Sequence, residues 1–211
     1  MVQKNAKVSD MVDVTGRPEL DAEWFARDPE RVAEDLVGAL IVRGACSGII
    51  VETEAYKDDE ASHAVTRRRS ASAIMATYGR LYVYPLHQQV CLNMTAGREM
   101  PGAVLIRAIE PVDGISIMTK RRKARLTSLV VDPDRPKSLV LLTSGPGRLC
   151  QALGVDRSMN DSPLGQALQV FGRRGAVQVE RSTRIGISRA VDLPWRFFVP
   201  DNLFVTKLKK S

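Results

Sequence analysis

The segment Ser47-Gly48-Ile49-Ile50-Val51-Glu52-Thr53-Glu54-Ala55-Tyr56 sets the architecture and the chemistry together. Its first half is β-branched behind a glycine, which reads as a strand entering a core. With a side-chain period of two, Glu52, Glu54 and Tyr56 point one way and Val51, Thr53 and Ala55 the other. Carboxylates at the end of an apolar strand are costly to bury unless they are paired or used. From this stretch alone, a structural ion pair with one of the many arginines accounts for them as well as catalysis does.

Working toward the N-terminus, Leu40 to Val42 reads as a partner strand, turning back at Gly44. Before it, Asp28-Pro29-Glu30 is a helix start: a capping acid, proline at the first helical position, then an acid near the positive end of the dipole. Val32, Ala33, Leu36, Val37 and Leu40 follow at helical spacing, with Gly38 near the end. Residues 1–16 are polar and non-periodic, which predicts a mobile tail ahead of a single domain over 17–211.

Toward the C-terminus, strands are predicted at Leu81 to Tyr84, Val90 to Thr95 and Ala103 to Ile109. Gly114 to Leu126 reads as a basic helix with Ile115, Met118 and Arg122 on one stripe, and Asp132 to Lys137 as an exposed loop. A further helix follows Ser144-Gly145-Pro146-Gly147 and stops at Gly154. Ala176 through Val205 alternates like strands. Strands come in runs, so the prediction is an α+β fold: one domain with a curved, mainly antiparallel β-sheet core flanked by helices.

The chain has 211 residues, enough for one sizeable core. Lys plus Arg number 31 against 24 Asp plus Glu, a charge of +7 that favours an anionic partner, nucleic acid first. Cys46, Cys91 and Cys150 are far apart and odd in number, without metal-ligand spacing, so reduced thiols are expected. Neither a signal peptide nor a run long enough to span a membrane is present. The expectation is a soluble intracellular protein: cytoplasmic and nucleoid-associated in a bacterium, nuclear in a eukaryote.

Seven blocks then occur in order. They are Val51 to Tyr56, Ala61-Ser62-His63, Leu81 to Tyr84, Cys91-Leu92-Asn93, Ala103 to Pro111, Gly145 to Leu149, and Arg184 to Ile187 with Leu193 to Phe197. In this order the chain resembles the alkyladenine type of 3-methyladenine DNA glycosylase over about residues 30–205. The resemblance implies a monofunctional base-excision repair enzyme acting on double-stranded DNA that contains damaged purines; a monomer with no cofactor and no metal is expected. It maps Glu54 as the residue that activates water and Arg107 as its companion near the scissile nucleotide. It maps Tyr56 as the stacking ring, with His63 and Tyr84 facing the base from the other side. Cys91, Asn93 and Leu105 fall on the pocket lining, Asn93 helping to exclude guanine.

The chemistry agrees with that mapping. Glycosidic cleavage passes through an oxocarbenium-like state, which a carboxylate stabilises while it deprotonates water. A base inside a duplex must be everted first, at a cost of a few kcal/mol, and stacking on aromatic rings returns about 1–3 kcal/mol. Lys120, Arg121, Arg148, Arg67 and Arg69 are the expected phosphate contacts.

Three departures stand out. Lys57-Asp58-Asp59-Glu60 is shorter and more acidic than the family's loop, and Arg69 to Met75 differs from the family's stretch. The hairpin Pro85-Leu86-His87-Gln88-Gln89-Val90 lacks the tyrosine that fills the gap left by an everted base, so Leu86 or His87 is expected there. Plainer readings coexist: Tyr82 and Tyr84 as strand packing, His63 on a solvated loop, Asn93 as a turn cap, Arg107 neutralising Glu110 or Glu54, and the basic helix as a solvated face. Three other functions compete: a silent damaged-DNA binder on the same fold, an RNA-binding module, and a metal-dependent hydrolase using Asp58, Asp59, Glu60 and His63.

Overall fold

The computed structural model describes residues 12–66 and 76–207. Among these residues, eight strands form one curled antiparallel sheet: β1 Leu40–Arg43, β2 Cys46–Tyr56, β3 Leu81–Leu86, β4 Gln89–Ala96, β5 Gly102–Asp113, β6 Gln169–Phe171, β7 Glu180–Ser182 and β8 Arg196–Phe198. The path runs β3-β4-β5-β2-β1-β6, and β8 joins the far half of β2 and carries β7. The 11-residue β2 is the spine: its first residues pair with β1, Glu52 to Glu54 pair with β8, and its other edge runs along β5. The β1–β2 turn is two residues long, and Gly44 takes a φ of 57° there, a region that glycine occupies without penalty.

Among the described residues, five helices pack around the sheet: α1 Pro29–Leu36, α2 His63–Thr66, α3 Ile115–Lys123, α4 Pro136–Thr143 and α5 Pro146–Leu153. As expected, Asp28 caps α1, its carboxylate accepting from the Glu30 amide at 2.8 Å. Leu81, Val83, Leu92, Met94, Val104 and Ile106 from the strands meet Val32, Ala33 and Leu36 of α1 and Leu149, Ala152 and Leu153 of α5 in one core. Each such large side chain contributes about 1.5–3 kcal/mol, so this layer holds the sheet against its helices. The alternate residues of the same strands are thereby turned to the opposite, concave face.

Several expectations need correction. The helix stripe ends at Val37, and Leu40 belongs to β1. Lys137 is not in a loop: α4 opens on Pro136, whose fixed φ and missing donor suit the first turn. The last third is largely irregular, with only the three-residue β7 and β8 between Ala176 and Val205. Residues 1–11 lie outside the described residues. Val12 is already packed with Leu40, Val42 and Phe171, and Asp13 pairs with Arg174 at 3.0 Å, so the packed chain starts before residue 17.

Strict alternation also fails inside β2. Ile50 and Ala55 both enter the main core, five residues apart, while Val51 packs separately with Ala108 and Phe204. The pairing of β2 with β5 steps from Ile50↔Ile109 to Glu52↔Ala108 and back to Thr53↔Ile106. Val51 and then Arg107 are thus the unpaired residues of two compensating irregularities, which re-aim side chains without altering the register beyond them.

Candidate active site

One row of directly opposed residues crosses the concave face: Tyr82, Asn93, Leu105, Glu54 and Arg196, from β3, β4, β5, β2 and β8 in turn. A cavity of about 380 Å³ opens over this row, within the range of small-ligand pockets. Its walls include Tyr56, His63, Tyr84, Cys91, Asn93, Leu105 and Arg107, all placed at a site from the sequence, together with Leu86 at the rim. The structure therefore brings these eight residues to one cavity.

Glu54 lies one layer deeper. It is fully buried, and the three residues that hold it are all cavity wall: Arg107 Nη1 at 3.2 Å and the Ile185 amide at 2.7 Å on Oε1, and the Tyr56 hydroxyl, donating at 2.7 Å to Oε2. An ionised carboxylate has about four acceptor positions; the Ile185 amide fills one on Oε1 beside the Arg107 charge and the Tyr56 hydroxyl one on Oε2, so Oε2 keeps a position for a further donor such as water. Burial drives the Glu54 carboxyl above its ordinary value, against the pull of Arg107, the Ile185 amide and Tyr56. Burial works against the Arg107 charge too, but Glu54 and Glu52 overcome it and hold the guanidinium protonated. A carboxylate raised this way, yet supplied with donors, is a stronger base than one in water. Arg107 neutralises Glu54 and Glu52, not Glu110, which accepts from Asn202.

The ring walls are fixed in turn. Tyr82 and Tyr84 stack with centroids 5.7 Å apart, His63 meets Tyr84 edge-on at 4.6 Å, and His63 Nδ1 is 2.9 Å from the Tyr82 hydroxyl. Tyr82 is thus a wall residue as well as a packing residue. Burial raises both the Tyr84 hydroxyl and the Cys91 thiol, which face each other, so both are neutral near pH 7. Asn93 does not cap a turn; its Nδ2 donates to the Tyr82 carbonyl at 3.1 Å inside the sheet.

Sequence reasoning missed what stands behind Tyr56. The Arg184 guanidinium lies 4.7 Å from the Tyr56 ring centroid and 5.1 Å from that of Trp195, and it grips Asp59 at 2.8 and 3.1 Å. Asp59 also accepts from the Ala61 amide, two residues before His63. One buried pair therefore ties the Tyr56 ring, the loop leading to His63 and the segment Ile185 to Ile187, which lines the cavity. Arg184 and Ile187 were visible only as parts of a matching string. The engagement of Asp59 with Arg184 removes it from any metal-ligand role with Asp58 and Glu60.

At the rim, Leu86 is 43% exposed and His87 sits at the hairpin tip with a φ of 53°. Lys120 and Arg148 are exposed, the latter at the start of α5. Arg121 is not available to phosphate: its Nη1 donates to the Ala152 and Leu153 carbonyls at 3.0 and 2.9 Å, where it caps α5. Gly154 ends that helix with a φ of 75°, which lets the arginine approach. Arg67 and Arg69 lie outside the described residues.

Fold and site together define a small α+β protein with an aromatic-walled pocket for one planar ring system, backed by a buried carboxylate–guanidinium pair. The family model for methylpurine-DNA glycosylase matches residues 23–203. Curated relatives named "Putative 3-methyladenine DNA glycosylase" include one from Agrobacterium fabrum, 41% identical over 90% of this chain and 93% of its own. Another, from Granulibacter bethesdensis, is 38% identical over 96% and 93%, and one from Clostridium acetobutylicum is 36% identical over 90% and 98%. The chain belongs to the methylpurine-DNA glycosylase family and is a DNA repair glycosylase, a hydrolase whose partner is DNA. Among the described residues, no helix is long and apolar enough to cross a membrane.

Proposed function

We propose that this protein everts an alkylated or deaminated purine from duplex DNA, acting as a monomer, and hydrolyses its N-glycosidic bond to leave an abasic site. The observation that carries this reading is the 380 Å³ cavity whose wall residues Tyr56, Arg107 and Ile185 directly hold the buried Glu54. Glu54 deprotonates a water on its remaining acceptor position and stabilises the cationic sugar; Arg107 fixes its orientation. Tyr56 on one side and Tyr84 with His63 on another supply ring faces, which favour cationic alkylpurines over neutral bases. The positive charge of such a base makes it a good leaving group, so the reaction proceeds without metal. A lyase step by Schiff-base formation needs an amine, and no lysine is among the described residues that line the cavity.

The test is direct. Duplexes each carrying one lesion (3-methyladenine, 7-methylguanine, hypoxanthine or an etheno adduct) are incubated with the protein, and abasic sites are revealed with alkali. Release of at least one base is expected; no release from any of the four removes the reading.

Leu86 or His87 fills the gap left by the everted nucleotide. Leu86 reaches both the cavity and solvent and His87 sits at the hairpin tip, which supports a wedge role for either. Leu86→Ala and His87→Ala are each assayed on duplex and single-stranded substrate. At least one should slow duplex excision about tenfold, since unstacking costs a few kcal/mol, and leave the single-stranded rate unchanged. Parent-level duplex rates for both variants count against the wedge.

Lys120 and Arg148 contact phosphate. Replacing both with Gln should reduce the slope of log K against log salt by about 1.8, at about 0.9 for each phosphate no longer neutralised. Titrations of a labelled duplex between low and physiological salt read this directly.

A further inference from the structure

Glu52 shares a strand and a face with Glu54 but does not line the cavity, and it carries more donors than any fold-level pairing requires. Its Oε1 accepts from Arg107 Nε at 3.1 Å and from Arg196 Nε at 2.7 Å. Its Oε2 accepts from the Thr206 amide at 2.9 Å and the Thr206 hydroxyl at 2.8 Å. All four acceptor positions of the carboxylate are therefore filled. Arg196 is itself anchored, donating to the Thr206 carbonyl at 2.8 Å and to Ser182 Oγ at 3.0 Å, with its guanidinium 4.5 Å from the Phe198 ring centroid.

Arg107 is thus gripped at two points, through Nε by Glu52 and through Nη1 by Glu54. A planar guanidinium held by two of its nitrogens cannot swing about its long side chain. The backbone is arranged for this grip, because Arg107 is the unpaired residue of β5 at the point where β2 places Glu52. The other end of the mount is Thr206, which reaches β2 from beyond the last strand.

We propose that Glu52 is a positioning residue for Arg107 and Glu54, and that the C-terminal segment, through Thr206, completes its mount. Catalysis then depends on a part of the chain that never meets the substrate. The inference rests on the excision reading above, and a buried ion-pair network that served stability alone is the alternative it must defeat.

Glu52→Gln separates the two. The amide keeps one oxygen for Arg107 and Arg196, loses the charge, and turns a donor toward Thr206. A displacement of Arg107 on the ångström scale costs roughly 10- to 100-fold in the single-turnover rate. Affinity for lesion duplex stays within about twofold, since Glu52 touches no ligand. The charged and titratable groups around Glu54 are Arg107 from β5, Glu52 and Tyr56 from its own strand, and Arg196 across the β2–β8 pair, with Arg184 and Asp59 behind Tyr56. Arg107 holds the Glu54 carboxyl down more strongly than Glu52 holds it up, so an Arg107 displaced by the loss of Glu52 moves the acid limb of the rate profile to higher pH.

The expected result is a slowed step, an acid limb displaced upward and unchanged duplex affinity. A variant that melts earlier but keeps the parent rate and limb shows a purely structural network and overturns the proposal. Thr206→Val, which removes one of the four donors and keeps the backbone bond, guards against a misfolded Glu52→Gln: a smaller slowing of the same step supports the mount, and the parent rate refutes it. An inactive parent would remove the excision reading; an active parent with both variants at its rate removes this inference alone.

Discussion

Glu54→Gln is expected to reduce the single-turnover excision rate by about 10²- to 10⁴-fold, or about 3–5 kcal/mol, while duplex binding is retained. Gln keeps an oxygen for Arg107 and the Ile185 amide, so the variant should fold, and the loss isolates the missing base. Equal rates for parent and variant would remove Glu54 from its role. The parent's pH profile carries the same information. Glu54 must be ionised to act, and burial raises its carboxyl above the ordinary 4.5, so the acid limb should lie above that value. In Glu54→Gln any residual rate should lack that limb. The stability sign runs the other way. A group whose folded pKa is raised contributes stability that is complete below its unfolded pKa and lost as pH rises through the folded one. The melting temperature of the parent relative to Glu54→Gln should therefore decline with rising pH across that window.

Arg184→Met should have the largest effect on stability. Arg184 and Asp59 have side chains 0% and 3% exposed, and removing one partner of such a pair costs about 3–5 kcal/mol because the other charge is left buried alone. For a domain of this size the melting temperature should fall by roughly 6–20 °C. The double variant Arg184→Met/Asp59→Asn should recover part of that loss, since it no longer buries a lone charge. Both should bind lesion DNA less tightly, as the Tyr56 ring, the His63 loop and Ile185 to Ile187 lose their common tie. Melting curves with no shift for the single variant would contradict this account.

Beside these buried pairs, the surface ion pairs matter little. Arg27–Asp35 and Arg174–Asp13 are solvent-accessible on both sides, and such contacts contribute at most about 1 kcal/mol. The concave face differs because Glu52, Glu54, Arg107 and Arg196 lie together out of water, where each unpaired ion would cost several kcal/mol. That arrangement persists only because every member is bonded.

Local order in the chain was enough for the central strands and for the Asp28 cap, while the residues expected at the cavity came from the family resemblance, which did not mark Tyr82 or Ile185. A period of two, combined with apolar partners on the other parity, turns Tyr84, Cys91, Asn93, Leu105 and Arg107 to a common side wherever those strands pair. Residue order could not show that Val51 and Arg107 go unpaired between β2 and β5, since an irregular ladder depends on both strands at once. Nor could it show that Arg184, Arg196 and Thr206 return from more than a hundred residues away to fix Tyr56 and Glu52. Those contacts are made by irregular chain and, for Arg196, by a strand of three residues, too short to carry a periodicity. A buried charge selects its partner by proximity in space, and folding alone creates that proximity.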